Sequence, residues 1–341
     1  METAKRKIFP QRLADWRLLD WRVYSGVAAA VVGMAAVGVT AQHVRRPKDL
    51  RWLDHVHVLP HPTTSNFRVI DGIRIHYQEH TAESDSEVVI MLHGFCSSNY
   101  TWKDCFNYFS EAGYRVIAPD LKGFGFSEKP LDKKYNIKDQ VNIIMRLMDS
   151  LGIKQATLVG NSYGGAISMA CALAHPEKVK QLILIAAAHN NEVITHRLFR
   201  GGQWLVNNNG IDVVAPFILG SPNVLRYYMN KMFHNKSVLT EERYNAYLRP
   251  LRTANCQMAA ITTIKQWDLS WLGNDMSNIK APTLLIWGEQ DWAVPVEWGA
   301  EIHLAIKHSQ FVVIPECGHL PQEELPIETS KLILDFCRQV K

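Results

Sequence analysis

Three side chains far apart in the chain have the types and the surroundings for chemistry: Ser162, Asp291 and His319. Ser162 stands in Gly160-Asn161-Ser162-Tyr163-Gly164-Gly165, where an apolar run stops at a glycine, presents one serine and resumes after two more glycines. A strand that turns into a helix within so few residues crowds its own backbone. Small residues are therefore needed two before and two after the exposed side chain, and Gly160 and Gly164 fill those places. A serine hydroxyl attacks a carbonyl carbon only when a base takes its proton, and the base needs a partner that fixes its ring. His319, in Cys317-Gly318-His319, suits the base, and Asp291, in Gly288-Glu289-Gln290-Asp291, suits the acid. Serine, then acid, then histidine is an order in which such triads are assembled. Backbone donors must also meet the charge that develops on the carbonyl oxygen. The Tyr163 N–H at the start of a helix and the Phe95 N–H in His93-Gly94-Phe95-Cys96 are placed for this, at roughly 3 kcal/mol of transition-state stabilisation each. The turn at Gly94 folds that loop back over the sheet edge.

Other residues compete for these roles. Glu289 lies nearer the strand end than Asp291 and is read as a loop-bracing residue. The loop Ala186-Ala187-Ala188-His189-Asn190-Asn191 offers no carboxylate before Glu192. His189 and His303 match the base in type only, since neither follows the last strand, and both are read as surface or cap histidines. His55 and His57 lack a carboxylate or cysteine at ligand spacing and read as solvated linker histidines. The six cysteines are scattered without a C-x-x-C pair, which implies free or buried thiols rather than a disulfide framework or zinc site. No metal and no cofactor is expected.

The elements that must hold these residues can be read from hydrophobic pattern. Asn66 to Tyr77 alternates apolar and polar on both sides of Asp71-Gly72 and reads as a hairpin. Short, continuously apolar runs follow, as expected of strands buried on both faces: Val88 to Leu92, Arg115 to Ala118, Ala156 to Val159, Leu182 to Ala187, Thr283 to Trp287 and Phe311 to Ile314. Helical stretches fit between them, among them Ile137 to Leu151, Ala166 to Ala174 and Glu328 to Gln339. This alternation predicts an α/β fold with a mostly parallel sheet flanked by helices, in which a site forms at the carboxyl ends of the strands. Residues 189 to 278 lack strand-like runs and are rich in helix formers and aromatics (Trp204, Phe217, Tyr227, Tyr228, Phe233, Tyr244, Tyr247, Trp267). Arg226, Arg243, Arg249 and Arg252 in this stretch could anchor a carboxylate, although solvated roles are the simpler reading.

With 47% apolar residues and a formal charge of +4 over 341 residues, the chain is neither disordered nor shaped for nucleic acid. Much of the positive charge lies before residue 23. Val23 to Gln42 carries no formal charge and is long enough for a bilayer core, so an uncleaved anchor is expected, with a cleaved signal peptide or an Ala-rich soluble helix as alternatives. Basic residues before the run slightly outnumber those just after it, which tilts the globular part to the outer side. The expected organisation is 1–22 basic segment, 23–42 membrane anchor, 43–65 linker, 66–188 first part of the core, 189–278 helical cap and 279–341 second part of the core.

From about residue 66 to the C-terminus the chain resembles the α/β-hydrolase fold family. The resemblance rests on His93-Gly94-Phe95, the elbow around Ser162, Gly288 to Asp291, Gly318-His319, and Asp120-Leu-Lys-Gly123-Phe-Gly125-Phe-Ser127-Glu-Lys-Pro130. The last of these is similar to a loop of the epoxide hydrolase, dehalogenase and C–C hydrolase branch. It implies that Asp291 is the acid and that residues 189–278 form a helical cap. Ser162 argues against epoxide hydrolases and haloalkane dehalogenases, which use aspartate at the elbow. A carboxylic ester hydrolase acting on an apolar, lipid-like ester is the first expectation. A hydrolase of C–C bonds is the alternative, although such enzymes commonly carry tryptophan where Leu320 follows the base here. A ligand-binding member without turnover and a perhydrolase of haloperoxidase type are further readings. The expected partners are a small apolar substrate and a membrane, and not nucleic acid.

Overall fold

The computed structural model describes residues 47–80, 86–192 and 211–339. The segments read as basic N-terminus and membrane anchor, and Trp204 of the aromatic set, lie outside them. Among the described residues no helix is long and apolar enough to cross a membrane.

Eight strands form one sheet in the order β1-β2-β4-β3-β5-β6-β7-β8. β1 (Ser65–Ile70) and β2 (Ile73–His80) make the expected hairpin, in which Asp71 and Gly72 both take positive φ, as a two-residue turn that follows strand twist requires. β2 pairs antiparallel with β4 (Arg115–Pro119), and every later pairing is parallel: β3 (Val88–Leu92), β5 (Ala156–Asn161), β6 (Val179–Ile185), β7 (Thr283–Gly288) and β8 (Ser309–Ile314). The central strands alternate between two cores, as the period of two demands. Ile90, Leu158, Leu184 and Leu285 face one cluster with α2 (Ile137–Ser150) and α3 (Tyr163–Ala174). Val89, Val159, Ile183 and Ile286 face the other with α1 (Phe106–Glu111) and α11 (Pro326–Gln339). Both faces are thus covered, which explains why these strands read as unbroken apolar runs.

Element ends differ from the sequence reading in informative ways. β6 starts at Val179 because Gln181, polar yet buried, joins the sheet by accepting the Thr157 hydroxyl at 3.0 Å. It stops before Ala186, whose φ of 46° leaves the strand conformation. β5 runs on to Asn161 and α3 begins at Tyr163, so Ser162 alone makes the turn.

Between β6 and β7 the described chain is helical: α4 (Ile211–Leu219), α5 (Pro222–Met232), α6 (Glu241–Leu251), α7 (Ala254–Lys265) and α8 (Ser270–Asp275). Side chains of Ser221, Thr240 and Thr253 cap three of these helices, each accepting a backbone N–H of the first turn. After β7 come α9 (Val296–Ala305), β8, and a short helix α10 (Pro321–Glu324) before α11.

The connector ahead of β1 is partly packed against the rest of the described chain. The Pro47 and Lys48 carbonyls accept the Ala254 and Asn255 N–H groups at 3.0 and 2.9 Å, which satisfies the open N-terminus of α7. Asp49 pairs with the buried Lys129 ammonium at 2.7 Å. His61 donates from Nε2 to the Lys103 carbonyl at 3.2 Å and stacks on Phe106. His57 is exposed as expected. All six cysteines are free thiols, five of them buried.

Candidate active site

The elbow is tight enough to explain its glycines. Ser162 holds φ 54° and ψ −114°, a strained combination for a residue with a side chain. Its carbonyl accepts N–H groups from Gly165, Ala166 and Ala188 at 3.0 to 3.2 Å, and its own N–H donates to Ile185 at 2.9 Å. A Cβ at Gly160 would come 2.5 Å from Ser168 Oγ, and one at Gly164 would come 2.6 Å from the His93 carbonyl. Either side chain would force α3 away from the strands it must touch.

The loop after β3 lies against this elbow. A Cβ at Gly94 would sit 3.3 Å from Ser162 Cβ and 3.2 Å from Asn161 Oδ1, so Gly94 is where the loop passes the serine. Among the described residues, neither the Phe95 N–H nor the Tyr163 N–H has a hydrogen-bond partner. Their rings meet edge to face at 6.3 Å, Trp267 stacks on Tyr163 at 4.9 Å, and Phe95 abuts Trp267 at 6.0 Å. An apolar wall thus rises beside two open donors. Burial pushes the Tyr163 phenol well above its ordinary value, so it stays neutral.

His319 and Asp291 come together as expected. His319 Nδ1 lies 2.8 Å from Asp291 Oδ2, both side chains buried. The other oxygen, Oδ1, accepts the Ala293 and Val294 N–H groups at 2.8 and 2.9 Å, which fixes the carboxylate plane. Asn161, adjacent to the serine, donates through Nδ2 to the His319 carbonyl at 3.3 Å and to the Ile185 carbonyl at 3.2 Å. Elbow and base loop are joined through that amide, a role the sequence reading left unassigned.

The competing residues stand elsewhere. Glu289 is exposed and accepts only the Gln290 side-chain amide at 2.8 Å; it is Gln290 that braces the loop, accepting the Cys317 N–H at 3.0 Å. His189 is buried, not superficial, with Nε2 3.1 Å from Glu301 and its ring on Trp298. His303 bonds Ser309 Oγ at 2.7 Å. Arg243 is no solvated cation: it is buried between Glu323 and Asp104, the latter at 3.1 Å. Arg226 is exposed and pairs with Glu241 at 2.6 Å.

The Asp120 motif packs behind the loop at Gly94. His93 donates from Nδ1 to the Gly94 carbonyl at 2.8 Å and accepts the Leu121 N–H at Nε2 at 2.9 Å, a neutral tautomer that agrees with burial lowering its pKa. Asp120 accepts the Asn99 and Phe126 N–H groups at 2.7 and 2.8 Å, and His76 Nδ1 at 2.8 Å. Gly125 is obligatory here, because its Cβ would overlap the Asp120 carboxylate.

Fold and site together define a hydrolase of the α/β class. The alpha/beta hydrolase fold family matches residues 87–326, and the chain belongs to that family. Its sequence is 30% identical over 292 residues to 2-hydroxy-6-oxo-6-phenylhexa-2,4-dienoate hydrolase of Burkholderia cepacia, covering 82% of this chain and 98% of that protein. A solved structure of a mutant meta-cleavage product hydrolase from Pseudomonas fluorescens IP01 superposes with a TM-score of 0.69 at 24% identity, covering 81% of this chain and 98% of that one. A crystal structure of a membrane phospholipase A does so with a TM-score of 0.69, 24% identity, and 95% and 98% coverage. At that identity the two structures speak for the fold alone.

Proposed function

We propose that this chain is a serine hydrolase that attacks the carbonyl carbon of an apolar acyl compound. The observation that carries the reading is the buried His319–Asp291 pair, joined through Asn161 to a strained Ser162 that the loop at Gly94 passes closely. His319 takes the Ser162 proton and returns it to the leaving group, while Asp291 holds the ring and stabilises imidazolium. The Phe95 and Tyr163 N–H groups receive the oxyanion.

Two bonds suit this machinery. The curated relatives support cleavage of a carbon–carbon bond beside a carbonyl, since the dienoate hydrolase of B. cepacia and others of similar name act on such compounds, and this reading is placed above the ester that pattern alone favours. A specific observation keeps the apolar ester as a second reading. The named dienoates carry a carboxylate, whereas Arg243 and Arg226, two of the cap arginines considered for such a group, already hold protein carboxylates. Leu320, not tryptophan, follows the base, and it packs among Met229 and Phe233.

One substrate panel decides. It contains 2-hydroxy-6-oxo-6-phenylhexa-2,4-dienoate and a p-nitrophenyl ester series from acetate upward, each run with wild type and Ser162→Ala. Turnover of the dienoate well above any ester supports the first reading, and the reverse order supports the second. Turnover that survives Ser162→Ala overturns both. Val23 to Gln42 is proposed as a membrane anchor; release of the full-length protein from membranes by high salt alone would sink that part.

A further inference from the structure

Just beyond His319 the chain buries two adjacent carboxylates, Glu323 and Glu324, that take no part in the triad. Buried carboxylates persist only where donors surround them, and the identity of those donors shows what each acid holds together. Glu324 Oε1 accepts the Gly318 N–H at 2.9 Å, one residue before the base. Its Oε2 accepts the His234 and Asn235 N–H groups at 2.9 and 2.8 Å, in the turn that follows α5. The His319 N–H itself donates to the Met232 carbonyl at 2.7 Å. Gly318 leaves no room for looseness, because a Cβ there would come 2.8 Å from the His234 nitrogen. Glu323 extends the junction: it accepts the Thr101 hydroxyl at 2.6 Å, the Tyr247 hydroxyl and the Arg243 guanidinium. Thr101 lies in the turn after the oxyanion loop, and Tyr247 and Arg243 belong to α6.

We propose that Glu324 is a positioning residue that aligns His319 only while the turn Met232–Asn235 is seated on the base loop. Seating of the helices between β6 and β7 and readiness of the base then become one event, so a substrate that holds those helices in place also aligns its own catalyst. Each oxygen of Glu324 serves one side of the junction, and it is this division, beyond mere satisfaction of buried donors, that couples the two. The proposal rests on the reading of Ser162, His319 and Asp291 as the catalytic triad.

Glu324→Gln tests it, since one terminal atom becomes an NH₂ donor that must face either Gly318 or the paired N–H groups of the turn. The expected result is a fall of about ten- to hundredfold in kcat on the substrate that wild type turns over fastest, per active site titrated with a fluorophosphonate, with KM changed little. The low-field proton NMR signal of the His319–Asp291 hydrogen bond should broaden in the same variant. Wild-type kcat per titrated site together with an unchanged low-field signal overturns the proposal, even if the variant is less stable, because a purely structural acid would lower the number of active molecules and not their speed. Wild type that is neither labelled nor active refutes the triad reading instead, and the NMR signal then still decides whether Glu324 holds the base. Should Glu324→Gln not accumulate folded, Glu324→Asp, which keeps the charge and loses reach to one side, is read in the same way.

Discussion

Among the described residues, two histidine–aspartate pairs share a matching local geometry. In one, His319 Nδ1 lies 2.8 Å from Asp291 Oδ2; in the other, His76 Nδ1 lies 2.8 Å from Asp120 Oδ2, and each pair is buried. A serine even completes the second set, with Ser65 Oγ 3.2 Å from His76 Nε2. What separates them is the setting of the serine. Ser65 begins an edge strand with ordinary extended backbone, whereas Ser162 is held at a positive φ at the mouth of a helix with two free N–H donors nearby. Bracing of backbone does not separate them, since Asp120 accepts the Asn99 and Phe126 N–H groups and Asp291 those of Ala293 and Val294. A buried histidine–aspartate pair is therefore not enough to mark a site, and what sets the proposed one apart is the strained Ser162 beside it.

That contrast can be broken or sharpened by experiment. The largest effect is expected at Asp291→Asn, which leaves the ring in the wrong tautomer: kcat should drop by about 10³- to 10⁴-fold with little change in melting temperature. Asp120→Asn should do the reverse, keeping kcat per titrated site near wild type while lowering unfolding free energy by about 2–4 kcal/mol in a urea titration. Ser162→Ala should lose fluorophosphonate labelling and at least about 10³-fold in kcat, against no more than about a twofold change for Ser65→Ala. If Ser65→Ala were equally damaging, the distinction between the pairs would collapse.

Smaller effects probe the loop between them. Gly94→Ala places a methyl 3.3 Å from Ser162 Cβ, tighter than ordinary contact, and should reduce kcat by about tenfold with the fold intact by circular dichroism. The smallest concerns pH. Burial holds the His93 pKa below its ordinary 6.5, so below that value the unfolded chain binds a proton that the folded chain refuses. Stability from this group is complete above pH 6.5 and is lost as pH falls towards the folded value. Burial raises Glu323 and Glu324 above their ordinary 4.5, which acts in the opposite sense and makes the overall slope shallower. Melting temperatures between pH 7 and 5 should fall gently in wild type and less in His93→Gln.

Much of this was legible in sequence because it followed from local rules. The hairpin at Asp71-Gly72, the parallel strands and the glycines flanking Ser162 each answer a constraint set within a few residues. Asp291 and His319 were placed by order and by the strands they follow. What pattern could not reveal depended on distant partners. Glu323 and Glu324 had no role assigned from pattern, because their burial depends on Arg243, Tyr247, Thr101 and the turn after α5 converging on them. Arg243 was misread for the same reason. Asn161 carried no signal beyond its place beside the serine, since its partner carbonyl belongs to His319. His55 was read as solvated because nothing in the sequence places it against Phe126, 6.2 Å away.

The two carbonyls of Pro47 and Lys48 that close the open end of α7 set a practical boundary for anyone shortening this protein. A chain trimmed of its uncharged N-terminal run can begin at Arg46 and keep both acceptors. One that begins at Leu50 leaves the Ala254 and Asn255 amides bare and strips Lys129 of its Asp49 counter-ion. The harm would then surface far from the cut, as fraying of a helix more than two hundred residues downstream rather than as a loose new terminus.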